Sequence, residues 1–200
     1  MSEVIRPWAG EEEQGGEGPD RAMLDRMLKS RTIIASKPVD DKLARDVIAQ
    51  LLMLEGDDSD RPITVVVNSP GGSADSGFAI LDAMRFVKPP VRTITMGMSA
   101  SAAVMIHLAA EKENRFVTPN ARFLLHQPSM RTMGQASDLE IVSAEIGRIR
   151  ERYNRIVAEE CGKTLEDVNA EVQRDFWLTA EEAVEYGLID RVVTSRNEIE

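Results

Sequence analysis

Residues Ile63–Asn68 (ITVVVN), broken at once by Ser69-Pro70-Gly71-Gly72, constrain the fold more than any other stretch of the chain. β-Branched side chains favour extended backbone, and a proline followed by two glycines cannot continue it. The run therefore predicts an apolar strand ending in a sharp turn. Beyond the turn the period changes, because Phe78, Leu81 and the group Met84–Val87 share a helical face that stops before Pro89-Pro90.

The same switch recurs. Thr32–Ala35 predicts a short strand, and Lys42–Glu55 predicts a helix with Leu43, Val47, Leu51 and Leu54 on one face. Val91–Met96 predicts a strand, Ser101–Ala110 a small-residue helix, and Arg115–Val117 and Arg122–Leu125 two further strands. The longest helix is expected from Ser137, where Ser137-Asp-Leu-Glu140 has the form of a capping box. Its apolar residues Val142, Ile146, Ile149, Tyr153 and Ile156 form a stripe larger than one small domain readily hides. Thr164 and Thr179 open two shorter helices, the second with another capping box, and Leu188–Val193 predicts a closing strand. Strands alternating with helices specify an α/β fold with a mostly parallel sheet.

With 200 residues, 42% of them hydrophobic and 29% charged, residues 21–200 suit a single domain. Residues 1–20 differ. They combine Gly, Glu and Pro with one apolar cluster, Val4, Ile5 and Trp8, and bury too little surface to offset the entropy of ordering. They read as a mobile acidic tail, or as a segment in which Ile5 and Trp8 anchor against a partner. The tail carries one base, Arg6, against six acids, a net −5 out of the whole chain's −10. Neither tail nor body supplies the basic footprint of a nucleic-acid binder. No apolar run approaches the ~18–20 residues that span a bilayer, and the N-terminus lacks the apolar stretch of a secretory signal. The single cysteine, Cys161, forms neither an intrachain disulfide nor a cysteine zinc site, which suits a reducing cytosol.

Two turns follow apolar strands and lead into helices, the place where α/β folds bind ligands. In Ser69-Pro70-Gly71-Gly72 the adjacent glycines permit close backbone approach, so their N–H groups could face a developing oxyanion, although an ordinary turn has the same look. In Gly97-Met98-Ser99-Ala100-Ser101, small residues surround two serines ahead of a helix whose first N–H groups are unpaired. This suits an exposed nucleophile or a tightly packed small-residue turn. The fifth position is Ser101, so it is not the Gly-x-Ser-x-Gly elbow. Of the two histidines, His107 lies six residues into the helix after Ser101, on another face and about 9 Å along the axis, and suits a packing role. His126 ends the strand Phe123-Leu124-Leu125 where a loop begins, a platform for a general base. Gly162-Lys163-Thr164 resembles the end of a P-loop, but the first glycine of that motif would fall at Val157, so no nucleotide site follows. Two histidines without a close third ligand argue against a metal centre, and Glu11–Glu13 lack the spacing of a calcium loop.

Asn68-Ser-Pro-Gly-Gly72, Gly97-Met-Ser-Ala-Ser101, His126-Gln-Pro128, Gly134-Gln-Ala-Ser-Asp138, Arg174-Asp175 and the block Ala180–Asp190 follow one another in an order that resembles the proteolytic subunits of the Clp protease. The resemblance runs from about Met23 to Val193. It implies the ClpP/crotonase fold, with stacked β-sheets flanked by helices and a protruding strand–helix handle. It also implies a homo-oligomer of two stacked heptameric rings enclosing a Ser-His-Asp peptidase. By position, Ser101 matches the nucleophile, His126 the base and Asp175 the orienting carboxylate. Gly72 and Ala102 match the backbone donors of the oxyanion hole. From the residues alone, Asp138, Asp167 and Asp190 stand level with Asp175. The implied partners are an AAA+ unfoldase of the Clp type, which would use ATP because this chain has no nucleotide motif, and unfolded polypeptide substrates. No nucleic acid, membrane, metal or resident cofactor is implied, and the location is cytoplasmic.

The chain departs from the family pattern in several places. Ser101-Ala102-Ala103-Val104 stands where Ser-Met-Gly-Ala is usual, Ser99 replaces an alanine, Met130-Arg131 a Gly-Gly, and Asn169-Ala-Glu171 an Arg-Asp-Thr that can bridge rings. The pore hairpin is not recognisable in residues 1–20. Two alternatives therefore stand beside the peptidase: a catalytically silent ring subunit, and a crotonase-type acyl-CoA enzyme on the related fold.

Overall fold

The computed structural model describes residues 21–199, so the expected tail lies outside the described residues. Among the described residues, seven strands form one sheet. β1 (Thr32–Ala35), β2 (Ile63–Ser69), β3 (Val91–Ala100), β4 (Arg115–Val117) and β7 (Arg191–Val192) lie side by side in that order, all parallel. The Val65 and Val67 side chains are fully buried, as the apolar run requires. Helices α2 (Asp41–Asp57), α3 (Ala74–Phe86) and α4 (Ala102–His107) pack with the sheet into one continuous apolar core. A smaller cluster of Ile94, Phe116, Val193 and Ile199 is separate from it.

β3 has two partners along one edge. Its first part pairs with β4 through Thr93–Thr95, and its last part pairs with β5 (Arg122–Leu125) through Met98–Ala100. The change falls at Gly97, whose φ of 96° and lack of Cβ admit the Asn68 side chain; Asn68 Oδ1 accepts the Met98 N–H at 3.2 Å. β5 then pairs antiparallel with β6 (Phe176–Thr179). The implied stacked sheets are thus joined in one hydrogen-bonded ladder that divides at Gly97.

Local chemistry sets most helix ends. Asp40 caps α2 by accepting the Leu43 N–H at 2.7 Å, and Ser73 caps α3. Thr164 caps α6 (Leu165–Glu171), and Thr179 with Glu182 forms the expected capping box of α7 (Ala180–Tyr186). The box expected at Ser137 does not form. The long helix α5 (Ala136–Cys161) begins after Gln135, which makes no side-chain cap, and Ser137 lies inside its first turn. Its first half is exposed at Leu139 and Ile141, whereas Tyr153, Val157 and Ala158 are buried. The resemblance implies a strand ahead of α5 in the handle; among the described residues, residues 126–135 carry no strand pairing.

Three further boundaries differ from expectation. β3 continues through Ala100, the helix after Ser101 stops at His107, and the closing strand shrinks to Arg191–Val192. Helix α1 (Arg21–Lys29) and strand β6 were not anticipated.

Candidate active site

Two backbone irregularities meet at Ser101. Its φ of 54° is one of only two positive values at non-glycine residues among the described residues. It stands between the end of β3 and the start of α4, so the expected five-residue turn contracts to this single residue. Strained non-glycine backbone of this kind persists only where its surroundings hold it. Here the Ser101 N–H donates to Leu124 O on β5 at 2.8 Å, and Ser101 O accepts from Val104 N–H at 3.0 Å and from the Tyr153 hydroxyl at 3.3 Å. Gly71 presses on the turn from the other side. A Cβ there would stand 2.4 Å from Ala100 O and 2.7 Å from Ser101 Cβ.

β5 carries His126 just beyond its last residue, and the β3–β5 register sets Ala100 beside Leu124. Ser101 and His126 consequently emerge at one end of the sheet and line one cavity of about 270 Å³. The β5–β6 ladder does the same for the carboxylate. Its last pair is Leu125 with Phe176, so its continuation sets His126 opposite Asp175. Asp175 Oδ1 lies 3.7 Å from His126 Nδ1, within ion-pair range and beyond a hydrogen bond. The carboxylate is 66% exposed and the histidine 29%. The rival carboxylates are elsewhere: Asp138 is exposed in the first turn of α5, Asp167 accepts from Thr164 Oγ1 and Asp190 pairs with Arg191.

Gly72 and Ala102 line the same cavity. Gly72 bridges Val39 through its neighbours, with Val39 N–H donating to Gly71 O and Ser73 N–H to Val39 O. Its own N–H takes no part in that bridge. Ala102 is the first residue of α4, where no preceding turn supplies an acceptor for the N–H. Phe78, Met105, Ile146, Ile149 and Tyr153 complete the apolar wall. Phe78, Ile146, Ile149 and Tyr153 had shown themselves only as members of helical stripes, and their spacing carries no sign of which stripe faces a cavity.

The other candidates separate cleanly. Ser99 is fully buried and its hydroxyl has no partner, so it is not available as a nucleophile. His107 is buried in the packing role expected of it, with Nδ1 3.1 Å from Thr95 Oγ1 and its ring edge-on to Phe123. Burial, assisted by the Arg115 charge, pushes its pKa down to about 3. Ala103, where the family usually has glycine, is fully buried, and Gly77 provides the close approach instead: a Cβ there would meet Ala102 O at 3.0 Å. Asn169 and Glu171 are engaged inside the subunit, by Asn154 and by Tyr186 and Lys163. The described residues include no group of three or more His, Cys, Asp or Glu placed to hold a metal, and no helix among them is long and apolar enough to cross a membrane.

The sequence pattern of the family described as Clp protease matches residues 16–196. Curated relatives include the ATP-dependent Clp protease proteolytic subunit 2 of Pseudomonas aeruginosa, 49% identical over 177 residues that cover 88% of each chain. The protein of the same description from Treponema denticola is 42% identical over 189 residues, 94% of each chain. Among solved structures, a ClpP1 mutant from Listeria monocytogenes superposes with a TM-score of 0.82 at 40% identity, covering 88% of this chain and 98% of that one. Motifs, fold and relatives agree along nearly the full length, and the chain belongs to the Clp protease family.

Proposed function

We propose that the chain is the proteolytic subunit of an ATP-dependent protease, a serine endopeptidase acting on unfolded polypeptide with Ser101, His126 and Asp175 as its triad. The observation that carries the reading is the convergence of Ser101, His126, Gly72 and Ala102 on one cavity, with Asp175 beside the base. Ser101 Oγ attacks the scissile carbonyl carbon while His126 takes its proton. The carbonyl oxygen becomes an oxyanion between the Gly72 and Ala102 N–H groups. His126 then hands the proton to the leaving amine, and water hydrolyses the acyl-enzyme by the same steps in reverse order. Asp175 faces Nδ1, which leaves Nε2 for the serine proton. Its present 3.7 Å separation fits a resting site that tightens around substrate. The apolar wall of Phe78, Met105, Ile149 and Tyr153 would receive a substrate side chain.

A peptidase without a nucleotide motif needs a separate ATP-driven unfoldase to act on folded proteins, and a cytoplasmic double ring of fourteen copies is the assembly the family resemblance implies. Exposed apolar side chains in the first half of α5, Leu139 and Ile141, support such an association. The test joins native mass to chemistry on the purified chain. We expect a particle near fourteen subunits that hydrolyses fluorogenic peptides, and a Ser101→Ala variant of the same mass that neither hydrolyses them nor takes a fluorophosphonate label. A labelled Ser101→Ala variant would overturn the site, and a monomer or dimer at micromolar concentration would overturn the homomeric ring.

A further inference from the structure

Tyr153 is buried, only 5% exposed, and its hydroxyl has one partner among the described residues, the carbonyl oxygen of Ser101 at 3.3 Å. A buried phenol needs an acceptor, but the acceptor here is the peptide of a residue with a φ of 54° and a ψ of −123°. The same carbonyl also accepts from Val104 N–H at 3.0 Å, and the N–H of Ser101 is held by Leu124 O, one residue before the strand end that carries His126. Burial raises the Tyr153 pKa far above its usual value, so the phenol remains a donor throughout the working pH range.

We infer that Tyr153 is a positioning residue for the nucleophile: its hydroxyl, donated from α5, holds the Ser101 carbonyl and with it the strained backbone that aims Ser101 Oγ at His126. The inference rests on the reading of Ser101 as nucleophile. The Leu124 bond ties the front of the residue to the strand of the base, and the Tyr153 bond ties its back to a different helix. Rotation of the Ser101 backbone, which would swing Oγ relative to His126, requires one of them, or the Val104 N–H bond to the same carbonyl, to give. At 3.3 Å the second bond is long for an O–H···O contact and has room to shorten as substrate binds. Tyr153 also lines the cavity with its ring, a separate contribution to binding.

The two contributions are separable in the assembled enzyme. Tyr153→Phe keeps the ring and loses the hydroxyl. Tyr153→Met loses both ring and hydroxyl while filling similar space. If the hydroxyl positions Ser101, both variants lose kcat and the second-order rate of fluorophosphonate labelling by about tenfold, a modest share of what a full ångström of misplacement costs. The KM for a fluorogenic peptide stays within twofold in Tyr153→Phe, and native mass and thermal midpoint are unchanged. A Tyr153→Phe enzyme that labels and turns over within twofold of the parent overturns the inference, and reduces Tyr153 to a wall of the cavity if Tyr153→Met alone is impaired. Should Tyr153→Phe fail to assemble, an equal loss of labelling in assembled Tyr153→Met, with KM unchanged, supports the hydroxyl, and a loss confined to KM overturns it. Ser101→Ala is run in parallel. If it retains labelling, the nucleophile assignment has failed, an outcome distinct from normal labelling of Tyr153→Phe with none of Ser101→Ala.

Discussion

Gly71 offers the sharpest perturbation of the proposed site that replaces none of its reacting groups. Replacing it with alanine sets a methyl 2.4 Å from Ala100 O, 2.7 Å from Ser101 Cβ and 3.1 Å from Ala102 N. Two of these are backbone atoms, and the third belongs to a side chain with little freedom. Relief to ordinary van der Waals contact near ~3.4 Å therefore moves the Gly71–Gly72 turn away from the Ser101 turn by about an ångström. The φ of 87° adds a penalty of roughly 1–2 kcal/mol for any residue with a Cβ, and overpacking adds about 1–3 kcal/mol. Together these lower the thermal midpoint by about 5–15 °C while leaving the subunit folded. The displacement also separates the Gly72 N–H from the Ala102 N–H, so we expect kcat/KM for a fluorogenic peptide to fall by about a hundredfold. Gly56→Ala is the control, since nothing lies within 4 Å of a Cβ there; it should leave activity unchanged. A Gly71→Ala enzyme with kcat/KM within threefold of the parent and an unshifted midpoint would refute the close-approach argument.

Ser99→Ala removes a fully buried hydroxyl that has no partner, so it should be neutral or stabilising by up to about 1 kcal/mol and should keep peptide hydrolysis within twofold; a large loss would reinstate Ser99 as a site residue. His107 is neutral when folded, with its pKa lowered to about 3 from 6.5. The unfolded chain therefore takes up a proton first as pH falls below 6.5, and stability drops by about 1.4 kcal/mol per pH unit until about pH 3. Denaturant midpoints of parent and His107→Leu should consequently show a flatter pH dependence in the variant between pH 6 and 5, and parallel curves would contradict the assignment. Seven tails of net charge −5 at a ring pore would repel acidic substrates. Deleting residues 1–19 should therefore speed hydrolysis of short acidic peptides at low salt and less so at high salt; equal rates at low salt would exclude a gating tail.

Most of the order of strands and helices, though not α1 or β6, was legible in the sequence because it depends on local periodicity and turn chemistry: the ITVVVN run, the caps at Thr164 and Thr179, and the glycines that end β2. The resemblance named Ser101, His126 and Asp175 by position, but the residues alone could not choose among four aspartates or say which of two neighbouring serines reaches a cavity. Where these side chains lie relative to one another depends on pairing between segments far apart in the chain. The β5–β6 ladder carries its register forward to set His126 opposite Asp175, 49 positions later in the numbering. The Leu124 carbonyl and Tyr153 hydroxyl hold Ser101 from two different elements. The contrast between Ser99 and Ser101 has the same origin. Two serines two residues apart look alike in sequence, yet the first lies within the ladder between β2 and β5 and the second just past its end. Capping and periodicity act over three or four residues and can be read along the chain. Register and burial depend on which strands meet, and only the folded sheet decides that.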